Sequence, residues 1–138
     1  MKQKDLKSKN IELINGYWND NILSDKDIKN LYDRCRITIL PLKESTQPSG
    51  QSVTLQSMSR GVPVLISKTN GFWDKDNFEN KKNIIFLEDN STENWVKKIK
   101  KLYYDSDFLD SISRKSMESM KKSSDSKDFY FELEKIFF

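Results

Sequence analysis

Short apolar runs alternate along this chain with longer segments in which apolar residues recur every three or four positions. The runs cover residues 11–14, 37–42, 62–67 and 84–87. Runs of this length are typical of strands that are buried on both faces in a parallel sheet. Several of the segments between and after them have helical periodicity, so the order of elements predicts an α/β fold.

A helix is predicted between the first two apolar runs. Ser24 is a typical N-cap residue, and acidic residues follow it in the first turn. The apolar positions recur at i, i+3, i+4 and i+7, and they hold Ile28, Leu31, Tyr32 and Cys35. This spacing places Cys35 on the buried face, where a thiol acts as a small core residue rather than as a nucleophile.

Further helices are predicted in residues 91–138. Asn90 is the predicted N-cap of the first, and Ser106 begins the second. After a polar break at residues 123–127, apolar residues again repeat at helical spacing up to the C terminus. These helices are expected to pack on the sheet as the C-terminal part of the domain.

Length and composition fit one globular domain over residues 1–138, in which residues 1–10 are expected to be loose. The net charge is only +3, and basic residues are interleaved with acidic ones. The electrostatic field of such a charge distribution is weak, so there is no reason to expect a nucleic-acid partner. No apolar run approaches the length of a membrane span and no signal-peptide core is present, so the sequence predicts a cytoplasmic location.

The chain contains one cysteine and no histidine. An internal disulfide is therefore excluded, and the ligands of a structural zinc site are lacking. Without histidine the commonest general base is missing, and neither a Ser-His-Asp nor a Cys-His arrangement is available. We predict neither a metal site nor a cofactor.

The most informative stretch is residues 37–68, which has the pattern of a strand, a polar loop, a helix and a second strand. The loop occupies residues 44–50 and contains the breakers Pro48 and Gly50. It lies at the carboxyl end of the first strand, which is where ligands bind in open α/β sheets. The sequence therefore places a candidate binding site at this loop.

Chemistry suited to a nucleotide follows from the helix that starts after this loop. Gly50 allows close approach of the backbone, and Gln51, Ser52 and Val53 would present free N–H groups that attract phosphate. One turn later, the side-chain amide of Gln56 has the donor and acceptor groups to pair with two sugar hydroxyls. Small polar caps occur on most helices, so the loop by itself also fits an ordinary helix start.

A second loop, residues 69–74, follows the next strand and is expected on the same rim of the sheet. Gly71 permits close backbone approach there. Phe72 and Trp73 are expected to pin the loop to the core.

The segment PLKESTQPSGQSVTLQSMSRGVPVLISKTNGFWD resembles the nucleotide-sugar-binding stretch of group 1 glycosyltransferases with the GT-B fold. That family has an acidic loop with glycine, followed by Glu-Ala-Met-Ala-x-Gly-x-Pro-Val-Ile, where residues 56–65 here are QSMSRGVPVL. The similarity extends to residues 11–17 and to DIKNLYDRCRITILP. The family has a pair of glutamates in this stretch, and this sequence departs from that pattern. Gln56 stands at the position of the second glutamate, and Glu44 or Gln47 lies near the position of the first.

The resemblance implies a Rossmann-like parallel sheet with flanking helices, corresponding to most of the C-terminal domain of a GT-B enzyme. It also implies a hexosyltransferase-like, retaining transfer from a nucleotide diphosphate sugar, with the phosphate of the donor acting as base. The acceptor is expected on a domain absent from this chain, either an N-terminal domain or a partner chain.

The resemblance further assigns roles to residues of the two loops. Glu44 and Gln47 are the catalytic candidates that would meet the hydroxyls of the donor sugar. The substrate-binding candidates are Gly50, Gln51, Ser52, Val53, Gln56 and Gly71.

Two other functions remain open from the residues. A non-catalytic nucleotide-binding or assembly module would keep the GT-B fold, and the altered glutamates would then mark lost chemistry. A flavodoxin-like regulator would need an acidic cluster at the strand ends, and only Glu44 and Asp74 offer one.

Overall fold

The structure is a computed structural model that describes residues 11–12, 14 and 23–123. These residues fall into two compact units, divided between Leu31 and Tyr32. The expectations for residues 1–10 and for a helical repeat after residue 127 lie outside the described residues.

Helix α1, Asp25–Arg34, runs across the division between the two units. Its start is held by a reciprocal pair of hydrogen bonds. The Ser24 hydroxyl accepts from the Asp27 N–H at 3.2 Å, and the Asp27 carboxylate accepts from the Ser24 N–H at 3.0 Å. These bonds from Ser24 hold the pKa of Asp27 below its usual value. The predicted cap at Ser24 is confirmed.

Three parallel strands form the sheet of the second unit, in the order β1-β2-β3. The elements after α1 are β1 (Thr38–Leu40), α2 (Gln51–Ser59), β2 (Val64–Ser67), β3 (Ile85–Leu87), α3 (Thr92–Tyr103) and α4 (Ser106–Ser123). This order confirms the predicted α/β class. In the part of the chain that the structure describes, no helix is both long enough and apolar enough to cross a membrane.

The strands are shorter than the apolar runs that predicted them, and proline accounts for part of the difference. Pro41 follows β1 and Pro63 precedes β2. A proline has no N–H to donate to a ladder, so pairing ends there although the apolar character continues. The run at 11–14 is not seen as a strand, since residues 11, 12 and 14 are outside any element and residue 13 is not described.

Side chains of β2 alternate between two hydrophobic clusters, as the period of a strand requires. Val64 and Ile66 lie in one cluster with Met58 of α2, whereas Leu65 packs in the other with residues of α3 and α4. Burial on both faces is thus correct for β2. It is wrong for residues 37–42, because β1 is the edge strand of the described sheet and its residues are only half-buried.

Cys35 is exposed, so its predicted place on a buried helix face is wrong. Helix α1 ends at Arg34, one residue before the thiol. The periodic pattern of apolar residues in the sequence therefore extends to Cys35, one residue beyond the end of the helix in the structure. None of the residues of α1 is buried.

The N-cap of α3 is Ser91, and the prediction of Asn90 in that role is wrong. The Ser91 hydroxyl accepts from the Asn94 N–H at 3.4 Å. Polar residues at both positions are acceptable caps, so local sequence does not distinguish them. Asn90 is instead free to bond elsewhere.

The side chain of Asn90 joins the carboxyl ends of two strands to the first turns of α3. Its amide nitrogen donates to the Leu42 carbonyl at 2.6 Å. Its oxygen accepts from the Ser67 hydroxyl and from the Trp95 indole N–H, each at 2.8 Å. The Ser67 hydroxyl in turn accepts from the Leu42 N–H at 2.8 Å. Both main-chain polar groups of Leu42 are thereby satisfied, and the loop after β1 starts from a fixed position.

Replacing Asn90 with alanine is expected to destabilise the fold by about 2–3 kcal/mol, because the Ser67 hydroxyl and the Trp95 indole N–H would both lose their acceptor. Urea denaturation of the Asn90→Ala protein measures the change in free energy of unfolding. Lys97→Ala is the matched control, since Lys97 is exposed on α3, and it should stay within about 0.5 kcal/mol of the parent. Equal stability of the two variants would show that the network contributes little.

Candidate functional site

Helix α2 begins after the loop that follows β1, and its N-cap is Gly50. This residue has φ 78° and ψ 5°, a left-handed conformation. Because glycine has no side chain, the first turn of α2 receives no side-chain cap. A Cβ at this position would also lie 3.3 Å from Leu42 Cδ1 and 3.4 Å from Ile66 Cδ1. Both the backbone conformation and the packing therefore favour glycine.

The first turn of α2 presents main-chain donors to solvent. The Thr54 N–H makes the first helical bond, to the Gly50 carbonyl at 3.0 Å. Residues 51–53 precede it, so their N–H groups have no carbonyl within the helix to reach, and all three residues are exposed. No acidic residue lies in this turn. The positive end of the helix dipole is consequently not offset by a carboxylate from the helix's own first turn, which favours an anion.

Tyr32 supports this turn from the end of α1. Its hydroxyl donates to the Val53 carbonyl at 3.4 Å. Burial, and secondarily the nearby Cys35, raises the pKa of Tyr32 above its usual value. Gln56 is exposed one turn further along the same helix.

The two predicted loops contact each other, which confirms that they share one rim of the sheet. A carboxylate oxygen of Glu44 accepts from the Asn70 N–H at 3.0 Å. The Gly71 N–H donates to the Ser45 carbonyl at 2.8 Å. These bonds fix the direction of the Glu44 side chain from the loop after β2.

Gly71 is buried, and the residues that approach it closely belong to the protein itself. A Cβ there would lie 2.5 Å from the Gln47 carbonyl oxygen and 2.7 Å from the Thr46 carbonyl carbon. Real Cβ atoms do not come so near to backbone, so the contact between the loops requires glycine. Gln47 is exposed beside it, with its N–H donating to the Ser45 hydroxyl at 3.0 Å.

The predicted site residues therefore form two groups at the carboxyl ends of β1 and β2. Glu44, Gln47 and Gly71 lie in the paired loops, and the remaining candidates, Gly50 to Val53 and Gln56, lie on α2. Asn70 and Asn90 were missed as supports of the site. Both are polar residues that follow a strand at this same edge, and that position is the signal by which they could have been found.

An open parallel sheet with an uncapped helix start at the carboxyl end of a strand is an arrangement at which α/β domains can bind anionic ligands. Comparison with known families makes this specific. Residues 8–123 match the family model described as glycosyl transferases group 1. The chain belongs to this family, as its sequence resemblance predicted.

Solved structures agree on the fold. Two crystal structures of Anabaena Alr3699/HepE are similar to this chain, one in complex with UDP-glucose and one with UDP and glucose. Their TM-scores are 0.63 and 0.64, each at 18% sequence identity. The similarity covers 80% of this chain and 29% of the HepE chain. Comparison with curated proteins found no match.

A methyl group added at Gly71 should separate the paired loops. Gly71→Ala is expected to lower the free energy of unfolding by about 1–3 kcal/mol, because backbone rather than a flexible side chain occupies the space. Urea denaturation measures this loss, and amide exchange at residue 70 reports whether the bond to Glu44 survives.

Asn70→Ala serves as the control for that experiment. It changes the adjacent exposed residue but keeps the N–H that Glu44 accepts from, so stability should remain near that of the parent. Parent-like stability and exchange in Gly71→Ala would mean that the paired loops accommodate the methyl group while staying in contact, which would contradict the prediction.

Proposed function

We propose that this chain is the donor-binding domain of a glycosyltransferase, and that it binds the diphosphate of a nucleotide diphosphate sugar at the start of α2. The exposed main-chain donors that follow Gly50 carry this proposal. They meet what a diphosphate requires, namely several directed N–H groups and a favourable helix dipole. Membership of the group 1 family and a fold shared with HepE, whose crystal structure contains UDP-glucose, support it.

In this proposal each candidate residue has a distinct role. The N–H groups of Ser52 and Val53 hold the diphosphate, and the Gln56 amide pairs with the ribose hydroxyls. Glu44 faces the hydroxyls of the donor sugar, with its carboxylate directed by the bond from Asn70. Gln47 adds an amide from the same loop.

The reaction proposed is transfer with retention of configuration. The bond from the anomeric carbon of the sugar to the diphosphate oxygen breaks, and a bond to an acceptor hydroxyl forms on the same face. The proton of that hydroxyl passes to the departing phosphate oxygen. This route needs no histidine, in keeping with the composition of the chain. The acceptor would be held by a further domain or a partner chain.

Changing the charge at the helix start tests the phosphate site directly. Ser52→Asp should weaken binding of UDP or GDP by about tenfold or more, because a carboxylate would repel the diphosphate. The same change should leave folding stability equal or slightly higher, since acidic residues in a first turn favour the helix dipole. Calorimetric titration and a thermal melt measure the two effects.

Ser52→Asn is the matched control, because it has nearly the shape of aspartate without its charge. It should bind nucleotide much as the parent does. If the aspartate and asparagine variants bind nucleotide equally, the diphosphate does not lie at this helix start. Binding without sugar transfer, even with an acceptor domain supplied, would leave the non-catalytic module as the function.

Removing the amide of Gln56 tests the ribose contact. Gln56→Ala should weaken nucleoside diphosphate binding by about five- to thirtyfold, since two neutral hydrogen bonds contribute about 1–2 kcal/mol. Stability should be unchanged or slightly raised, because alanine is the better helix former. Gln51→Ala is the control, as it removes the same side chain at the start of α2 while keeping the main-chain donor. An unchanged dissociation constant for Gln56→Ala would exclude Gln56 from the site.

A further inference from the structure

Asn70 and Gly71 form an asparagine–glycine pair in the loop after β2. They occupy the centre of a tight turn, in which the Phe72 N–H donates to the Thr69 carbonyl at 3.3 Å. In such a pair the main-chain nitrogen of glycine can attack the side-chain amide of asparagine, because glycine has no Cβ to block the approach. Asparagine is one of the thermolabile residues of proteins. The loop therefore contains two residues that can react with each other.

The two reacting groups are held in different ways. Asn70 is exposed, and its side chain makes no hydrogen bond to any residue that the structure describes. Gly71 is buried, and its N–H donates to the Ser45 carbonyl at 2.8 Å. The amide that is attacked is thus free to turn, whereas the nitrogen that attacks is held by the other loop.

The reaction removes the hydrogen through which Gly71 is bonded to the other loop. The Gly71 nitrogen loses its proton and bonds to Cγ of Asn70, while the bond from Cγ to the side-chain nitrogen breaks. That nitrogen leaves as ammonia with the proton, and a five-membered succinimide ring remains. The ring nitrogen carries no hydrogen to donate to Ser45. Ring closure and the bond between Gly71 and Ser45 are therefore mutually exclusive.

The products of the reaction disfavour renewed pairing of the loops. Water opens the ring at either of its two carbonyl carbons and gives aspartate or isoaspartate, so that one water is consumed for each ammonia released. Both products add a carboxylate to residue 70, whose N–H is bonded to the Glu44 carboxylate. Isoaspartate also lengthens the main chain by one methylene beside Gly71, where even a Cβ would lie 2.5 Å from the Gln47 carbonyl oxygen.

We propose that Asn70 is a site of spontaneous deamidation, and that pairing of the two loops controls its rate. The reaction requires a local opening in which the Gly71 N–H leaves the Ser45 carbonyl, so the folded protein reacts only in its open fraction. The loss of ammonia makes the change irreversible. It alters the partner of Glu44 and leaves the main-chain donors of α2 as they are. Neither effect depends on which ligand binds at the rim, so this site stands apart from the proposed function.

Peptide mass spectrometry on the full chain tests this proposal. Trypsin cleaves after Lys68 and Lys75 and so releases residues 69–75, a peptide with a single asparagine. Folded protein is incubated in mildly alkaline buffer, and a sample in concentrated urea supplies the rate without loop pairing. The expected result is a gain in mass equal to the replacement of NH by O, divided between two products that chromatography separates. The gain should be about ten- to a hundredfold slower in the folded protein than in urea.

Either of two results would overturn the proposal. If the folded protein shows no gain in mass by the time at which a reaction slowed by that factor would be complete, Asn70 is not a site in the native protein. If the folded and urea-unfolded samples react at the same rate, the loops do not control the reaction.

A variant of Glu44 separates control by the loops from the effect of folding in general. Glu44→Ala removes the acceptor of the Asn70 N–H without changing the reacting pair, and should speed deamidation by about three- to tenfold. Glu93→Ala is the matched control, since Glu93 is exposed on α3, and it should leave the rate unchanged. A thermal melt confirms that both variants fold. Equal rates in the two variants would overturn control by the loops.

Asn70→Asp places the aspartate product in the chain directly. Repulsion from Glu44 should lower the protection of the residue 71 amide against hydrogen exchange by about two- to fivefold. Asn70→Ala has no carboxylate and should match the parent. If exchange at residue 71 is the same in Asn70→Asp and Asn70→Ala, the added charge does not disfavour loop pairing, and that part of the proposal is wrong.

Discussion

The side chain of Asn90 holds together the edge of the sheet on which the candidate site is built. Parallel strands end with main-chain groups that no further ladder satisfies, and here one amide and one hydroxyl supply the missing partners for Leu42. Ser67 is only 2% exposed, so an unpaired hydroxyl there would be costly. Because every member of the network is bonded, the loop that carries Glu44 leaves the sheet in one direction.

From this fixed edge, the site divides into a part made of main chain and a part made of side chains. The start of α2 offers N–H groups whose positions depend on the helix and on the left-handed Gly50. Glu44, by contrast, depends on the loop after β2, since its carboxylate is held by the Asn70 N–H. The glycine at position 71 lets the two loops lie in contact, and the same second loop borders a cavity of about 500 Å³ at the carboxyl ends of β2 and β3.

Local patterns predicted the order of elements and the shared rim of the two loops, because apolar runs and parallel connections constrain both. They did not predict where pairing stops, which depends on Pro41 and Pro63 and on available neighbours. Cys35 was misplaced because helical spacing continued past the end of α1. Asn90 was taken for a cap because its actual partners are distant in sequence. The contact at Gly71 and the cavity likewise arise from tertiary packing, to which no local pattern is sensitive.

A set of donors drawn from the main chain has a consequence for how such domains diverge. Substitutions at residues 51–53 change side chains but leave the N–H groups where they are, unless proline is introduced. Gly50 is the residue whose identity the backbone conformation itself demands. Anion recognition at this point can therefore persist while most of the surrounding residues drift. In such domains, the backbone conformation of the turn would therefore be retained over longer evolutionary times than its amino-acid sequence.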